Sequence, residues 1–315
     1  MSDVPATPAS AATAAAEGRA PGAFSRSVLG RLLRHRSGSL GLVLTVAGAA
    51  GFLGWLIGLT VAFAALAVVG PWVAPYDPAI PDYTHLAKGA SGAHWLGTDA
   101  FGRDTFSRIL AGARYSITIG LAATVIGALV GGAWGLLAGF LGGWFDNLSM
   151  RVVDVLLAFP GILIAIGLVT ITGPGVGPVI LASAVFGIPV FARLARGSTL
   201  EVKGRAFIEA ANALGVNRPR VMLKHVLPQV IAPILVYATL RSGSTLLVAS
   251  GLSFLGLGVQ APAPEWGGML SDAQLWLAVQ PLMAFAPGIA ITLAVLGFNL
   301  LGDGLRDVLD PSVGR

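Results

Sequence analysis

The stretch "EAANALGVNRPRVMLKHVLPQV", Glu209–Val230, carries Arg218, Arg220 and Lys224 between two long apolar runs, and its reading decides the fold. Phe207, Ala210, Ala211 and Leu214 recur at helical spacing and form one small apolar face, while Lys203, Arg205 and Glu209 stay polar. Gly215 ends that helix, because glycine takes the left-handed C-terminal conformation without steric cost. Asn217 is placed to cap a second short helix with Pro219 in its first turn, and Pro228 opens the next apolar run. The pattern predicts a helix, a tight turn and a second helix standing clear of the apolar segments. A face of Ala and Phe suits another protein's groove, since small residues permit close approach and Phe supplies an anchor. A helix lying on a bilayer surface is the competing reading.

Composition says what surrounds this stretch. The 315 residues are 55% hydrophobic and 11% charged, with a mean hydropathy of +0.80, which excludes an ordinary soluble domain and implies a membrane protein. Absence of cysteine excludes disulfides, Cys-ligated metals and a thiol nucleophile. The formal charge is +5, yet only three basic residues are Lys and none forms a dense run, so membrane topology explains the charge better than nucleic acid does.

A spanning helix needs about 20 mostly apolar residues. Six segments qualify, near 40–72, 115–141, 152–172, 176–192, 229–257 and 279–302. The first is over-long, and reads as one tilted helix with an extension or as an interfacial piece followed by a span. It starts too late and runs too long for a signal peptide. With one span there and a cytoplasmic N-terminus, only Lys88, Arg103, Arg108 and Arg114 fall outside and Arg241 falls within a span. The remaining fifteen basic residues lie inside, as the positive-inside rule requires of six spans with both ends cytoplasmic. The expected organisation is a disordered cytoplasmic tail at 1–39, a first transmembrane helix at 40–74 and an external loop at 75–113. A membrane core follows at 114–303, with its cytoplasmic loop at 203–228, and then a cytoplasmic tail at 304–315.

Glu209-Ala210-Ala211, three residues, Gly215, nine residues, then His225-Val226-Leu227-Pro228 resembles the EAA loop of permease subunits in binding-protein-dependent ABC importers. Four further stretches narrow the resemblance to the second permease of dipeptide, oligopeptide and nickel importers. They are "HWLGTDAFGRDTFSRILAGARYS" (94–116), "MRVVDVLLAFPGILIAI" (150–166), "LSFLGLGVQAPAPEWGGML" (252–270) and "GDGLRDVLDP" (302–311). The resemblance covers about 94–311. Ala249 departs from it, at a place where such permeases often carry a Glu.

This resemblance implies an all-α, polytopic type I ABC importer transmembrane domain of six helices in the bacterial inner membrane. It also implies a companion permease, two ATPase subunits that hold ATP and Mg, and an extracytoplasmic substrate-binding protein. Glu209, Ala210, Ala211, Gly215, His225, Leu227 and Pro228 would couple ATP hydrolysis to the membrane helices, and the chain itself would bind no cofactor. Its residues agree: no G-x-x-x-x-G-K-[ST] phosphate loop occurs, and "GPGVGP" (173–178) joins two apolar runs as a turn. Dipeptides, longer peptides and nickel share these motifs, and the pattern does not separate them.

Other constellations carry weaker chemistry. His85 and His94 lie nine residues apart, which is no recognised metal-ligand spacing, and no metal site is expected. Gly97 and Asp99 to Gly102, Arg103 and Asp104 read as a turn and helix cap at the external rim, either sealing it or leaving charges for the binding protein. Trp266 and Trp276 read as interfacial anchors. Gly127, Gly131, Gly135 and Gly139 recur every fourth residue and form a stripe for close helix packing, against another span of this chain or the companion permease. Arg241 sits mid-span among Ser242, Ser244 and Thr245, as a lining of the path or as half of a structural ion pair. The four histidines, 35, 85, 94 and 225, all fall outside the spans, which argues against an intramembrane serine protease. No inverted repeat of broken helices points to a secondary transporter.

Overall fold

The structure, a computed structural model, describes Gly58 and residues 65–309. The expected tail at 1–39 and most of the first span lie outside the described residues, as do residues 310–315. Residues 65–73 are helical, with Leu66 and Ala67 packed against the buried core.

Helix α1 (Thr105–Leu141) begins at Asp104, whose carboxylate accepts a hydrogen bond from the Ser107 amide at 2.7 Å. Its 37 residues extend about 55 Å at 1.5 Å per residue. Gly142, with φ 69°, ends it in a conformation that a β-carbon disfavours. Helices α2 (Gly143–Ala158) and α3 (Gly161–Thr172) follow, then α4 (Val176–Lys203), α5 (Ala206–Ala213) and α6 (Arg218–Val221). A π turn at Met222–Val226 leads into α7 (Leu227–Phe254), and α8 (Trp266–Ala273) and α9 (Leu282–Leu309) complete the order. Among the described residues four segments are long and apolar enough to cross a membrane: α1, α4, the run Arg218–Phe254 and α9. The bent pair α2–α3 makes a fifth if taken as one span.

Two sequence readings are corrected here. The run 152–172 is not one straight helix, because α2 and α3 meet at 88° across Phe159 and Pro160. Proline disfavours the helical conformation of the residue before it, and Phe159 is extended at φ −87°, ψ 140°. Pro228 does fall in the first turn of α7, but α7 is not a separate helix. The helix is already running from Arg218, and the π turn immediately before Pro228 widens the backbone where a proline ring would crowd the preceding carbonyls.

The glycine stripe packs against α4 of the same chain. A Cβ at Gly131 would collide with the Ile188 carbonyl, and one at Gly135 with that of Ala192. At Gly139 it would stand 2.9 Å from Thr199 Cβ, and at Gly127 3.4 Å from the Ala184 carbonyl. Carbonyls at 184, 188, 192 and 196 thus face the stripe turn by turn.

Buried apolar side chains gather in three clusters. Ala113, Ile117, Leu246, Trp266 and Phe298 lie toward the end that carries 75–104 and 255–281, which we call the rim. Ile119, Ala165, Val179, Ala249 and Leu252 form a second cluster in the rim half, where α3 and α4 meet α1 and α7, and Leu136, Ala195, Ile208, Val221 and Val230 lie at the opposite, loop end. Trp266 is fully buried and its Nε1 donates to the Ile109 carbonyl at 3.0 Å, so it is a core residue and not an interfacial anchor. Ala249 is enclosed in the second cluster, where small size serves packing.

Gly131→Leu is expected to cost more than about 3 kcal/mol, because the helices must separate to admit the side chain. Loss of the monodisperse peak in detergent and a lower Tm would register it. Gly167→Leu, at a position where a Cβ meets nothing within 4 Å, should leave both unchanged.

Candidate functional site

At the loop end, α5 is pinned by one face and leaves another free. Ile208 and Ala211 turn inward, 1% and 8% exposed, and pack with Val202, Val221 and Val226. Phe207, Ala210 and Leu214 face outward with Glu209, Phe207 at 43% and Leu214 at 84% exposed. The single apolar face expected from spacing is therefore two faces, and Ile208, unmarked in the sequence reading, carries the anchoring one. The helix closes as a Schellman motif: the Val216 amide donates to the Ala211 carbonyl at 3.1 Å and the Gly215 amide to that of Asn212 at 3.0 Å. Gly215 has φ 73°, which explains the glycine. Asn217 precedes α6, but its side chain makes no capping hydrogen bond. His225 and Leu227 are half-buried and Pro228 exposed. A groove of about 800 Å³ runs beside these elements, lined by Leu137, Phe140, Lys203, Ile208, Asn212 and Met222 among others. Lys203 closes one side of it by donating to the Phe140 carbonyl at 2.8 Å.

Helix α2 is tied to α4 near this end by ion pairs that no sequence pattern marked. Arg196 donates from Nε and Nη2 to both Asp146 oxygens, at 2.9 and 2.7 Å, and Arg193 pairs with Asp154. Partners some 50 positions apart become neighbours only through the tertiary fold.

Mid-span, Arg241 Nε and Nη2 are buried and make no hydrogen bond among the described residues. The guanidinium lies 4.6 Å from the Phe186 ring centroid. Cation–π contact of this kind returns about 0.5–2 kcal/mol, while an Arg at a span's centre costs at least about 2.5–3.5 kcal/mol. The expected polar surroundings do not reach it: Ser242 and Ser244 donate to the helix's own Ala238 and Arg241 carbonyls.

The rim turns its charges inward. Asp99 accepts from the Phe101 and Arg103 amides at 2.8 and 2.9 Å and from Arg103 Nε at 2.6 Å, and Arg108 Nε lies 3.4 Å away. Asp104 bridges His94 Nδ1 at 2.9 Å and Ser107. Asp99, Arg103 and Asp104 are each at most 5% exposed, so the loop consumes the charges that the sequence reading had offered to a partner. Gly97 and Gly102 have φ 74° and 76°, and a Cβ on Gly102 would collide with the Asp82 carbonyl. Asp82 itself is held down to about 2, first by the Thr84 hydroxyl and amide and then by His85. Among the described residues no group of His, Cys, Asp and Glu is arranged to hold a metal ion.

Glu265 was missed by the sequence reading. Fully enclosed, it caps α8 by accepting from the Gly267 and Gly268 amides at 3.0 and 2.8 Å, and Ser116 of α1 donates to it at 3.2 Å. Burial pushes its carboxyl up from the ordinary value. Glu is not among the usual N-cap residues, Ser, Thr, Asp and Asn, so residue type alone did not mark it.

Residues 131–315 match the model of the family described as "Binding-protein-dependent transport system inner membrane component". The chain belongs to this family. It is 49% identical over 249 residues to the glutathione transport system permease protein GsiD of Escherichia coli O1:K1 / APEC, covering 79% of this chain and 82% of that one. The GsiD of Pectobacterium atrosepticum is 48% identical over 250 residues, covering 79% and 83%. Two inward-facing forms of the MetNI methionine ABC transporter share the fold, with TM-scores of 0.55 and 0.53 at 16% identity, over 64% of this chain and 96% of theirs. The chain is thus a binding-protein-dependent permease, a multi-pass inner-membrane subunit of an ABC importer and not itself an enzyme.

Within this permease, Glu265→Ala strips two backbone amides of their acceptor in a buried setting. An expected loss of about 2 kcal/mol would appear as a lower Tm in detergent, and Gln should recover part of it through its remaining carbonyl oxygen.

Proposed function

We propose that this permease forms one half of a translocation path for small peptides, with glutathione as the first substrate to test, and that separate ATPase subunits drive it by docking on 203–228. The observation that carries the reading is the outward face of α5, Phe207, Glu209, Ala210 and Leu214, held rigid by its inward face and its Schellman closure. Glu209 orients the docked helix, Ala210 allows close approach, Ala211 with Ile208 anchors the helix from its inward face, and Gly215 makes the turn. His225, Leu227 and Pro228 lie where α6 passes into α7 as one 37-residue segment, so force applied at the loop reaches the membrane without a hinge loop.

The assembly implied is a heterodimer with a companion permease, two ATPase subunits binding ATP and Mg, and an extracytoplasmic binding protein seated on the rim. Gly97, Asp99, Gly102, Arg103 and Asp104 then serve as the internal skeleton of that rim. Both termini are cytoplasmic. Peptide is favoured over nickel because Arg241, a cation midway along α7, repels a bare metal ion, and because relatives at 49% identity bear the name of glutathione permeases.

Glu209→Lys should lower uptake of labelled glutathione by the complete transporter at least tenfold, by roughly the scale of a lost interface hot spot. The variant should keep its parent Tm and membrane level but no longer retain the ATPase subunits on purification. Parent-like uptake would sink the docking assignment.

A further inference from the structure

The groove beside α5 combines apolar walls with two free cations. Leu137, Phe140 and Leu141, at the end of α1, line it together with Ile208 and Met222. Lys203 and Arg218 line it too, both exposed, and no carboxylate does so among the described residues. The ion pairs at this end engage Arg193, Arg196 and Arg205, and leave Lys203 and Arg218 without a carboxylate at ion-pair distance among the described residues. Lys203 uses one N–H on the Phe140 carbonyl and keeps two. A second hollow of about 540 Å³, which shares Asn217 and Pro219 with the first, adds Arg220 and Lys224.

Its place decides what fits. The groove opens at the end of α1, a 37-residue helix long enough to cross a bilayer, and so lies at the depth of lipid headgroups. Trp144, 75% exposed just past that end, is a residue type that marks the membrane interface. On α5 the groove takes Ile208 and Asn212, while the free face carries Ala210 and Leu214. Each pair is two residues apart, about 200° round the helix. The groove and the free face therefore lie on opposite sides of α5, and a subunit seated on one does not fill the other. Apolar walls at headgroup depth with cations beside them suit an anionic amphiphile, since the chain meets the Leu and Phe side chains while the phosphate meets Lys and Arg. The chain's own N-terminal stretch, with Arg26, Arg31, Arg34 and Arg36, has the wrong sign for this place.

We propose that this groove binds one anionic phospholipid from the leaflet at the loop end, with its phosphate on Lys203 and Arg218 and an acyl chain along Leu137, Phe140 and Met222. Charge is what the phosphate reads here, so Lys can replace Arg at 218. The bound lipid ties the end of α1 to α5 and α6 from the side opposite the free face, and the loop is then held by the membrane as well as by its own core contacts. That consequence for coupling rests on the reading of 203–228 as the ATPase-docking loop, whereas the binding itself does not.

The test uses the complete transporter, stripped of lipid in detergent and given dioleoylphosphatidylglycerol or dioleoylphosphatidylcholine, with the bound lipid counted by native mass spectrometry. The parent should hold phosphatidylglycerol about twentyfold more tightly than phosphatidylcholine. Arg218→Gln should weaken phosphatidylglycerol about fivefold, and Lys203→Gln with Arg218→Gln about twentyfold, with phosphatidylcholine unmoved; Arg218→Lys should stay within about twofold of the parent. Leu141→Glu, which sets a carboxylate in the groove at an exposed position, should weaken phosphatidylglycerol while both cations remain. Equal affinity of the parent for the two lipids, or a double variant that holds phosphatidylglycerol like the parent, would overturn the proposal. So would displacement of the lipid by sn-glycerol 3-phosphate, which would give the cations to a soluble phosphate. Because the chain has no cysteine, Asn212→Cys carries a photoreactive label at one position of this subunit. Its adduct should be phosphatidylglycerol, and an adduct with an ATPase subunit or the companion permease in its place would assign the groove to that protein and overturn the lipid. Failure of the docking reading shows separately: ATPase subunits retained by Glu209→Lys would remove that reading and leave lipid binding standing.

Discussion

The close approach of α1 and α4 is the contact on which the rest of the bundle depends. Lipid removes the hydrophobic drive that pairs helices in water, so association rests on van der Waals contact and on how near two backbones can come. Gly127, Gly131, Gly135 and Gly139 bring α1 against the α4 carbonyls over four turns, and this fixes where α4 emerges at the loop end. From that point Lys203 reaches the Phe140 carbonyl, and Arg193 and Arg196 hold α2 through Asp154 and Asp146. The position of α5 follows, because Ile208 and Ala211 pack on Leu136 and Ala195, residues of the same helix pair.

Polar chemistry is arranged around that contact by depth. At the rim, Asp99 holds Arg103 and Arg108 while Asp104 holds His94 and Ser107, tying the loop to the start of α1. Asp272, 3.9 Å from Arg103, has its carboxyl raised by burial, and even this charge is drawn into the cluster. The loop end instead exposes one face of a helix while its ion pairs keep the supporting helices in place. Between the two ends Arg241 is the exception, a cation in a span with an aromatic ring as its described contact. A bundle that otherwise places its charges toward its two ends retains this one near the middle of α7.

Rigidity and breakage are likewise divided among the spans. Residues 218–254 run from the loop into the membrane as one segment, with a π turn absorbing the strain of Pro228. The α2–α3 pair is broken by Phe159-Pro160, and its 88° bend lays α2 across the loop end while α3 alone enters the bundle. One element thus suits transmission of motion, and the other changes direction at a proline.

Much of this was legible in residue order alone. Apolar runs identify a polytopic membrane protein and the Glu209–Pro228 pattern a helix-turn-helix loop, because hydropathy, glycine conformation and proline chemistry act locally or over one helix. That the protein is a permease came through the resemblance of its motifs to a family. The fourfold glycine spacing likewise announces a packing face. What faces what is another matter. Only the tertiary structure selects α4 as the partner of that face, splits α5 into an anchored and a free side, pairs Asp146 with Arg196, buries Trp266 and leaves Arg241 on Phe186. Each of these depends on which residues from distant parts of the chain arrive at the same place, and the bend at Pro160, a local event, has its consequence only through where it sends α2. Local rules determine the elements; the packing of carbonyls, rings and charges across them decides their roles.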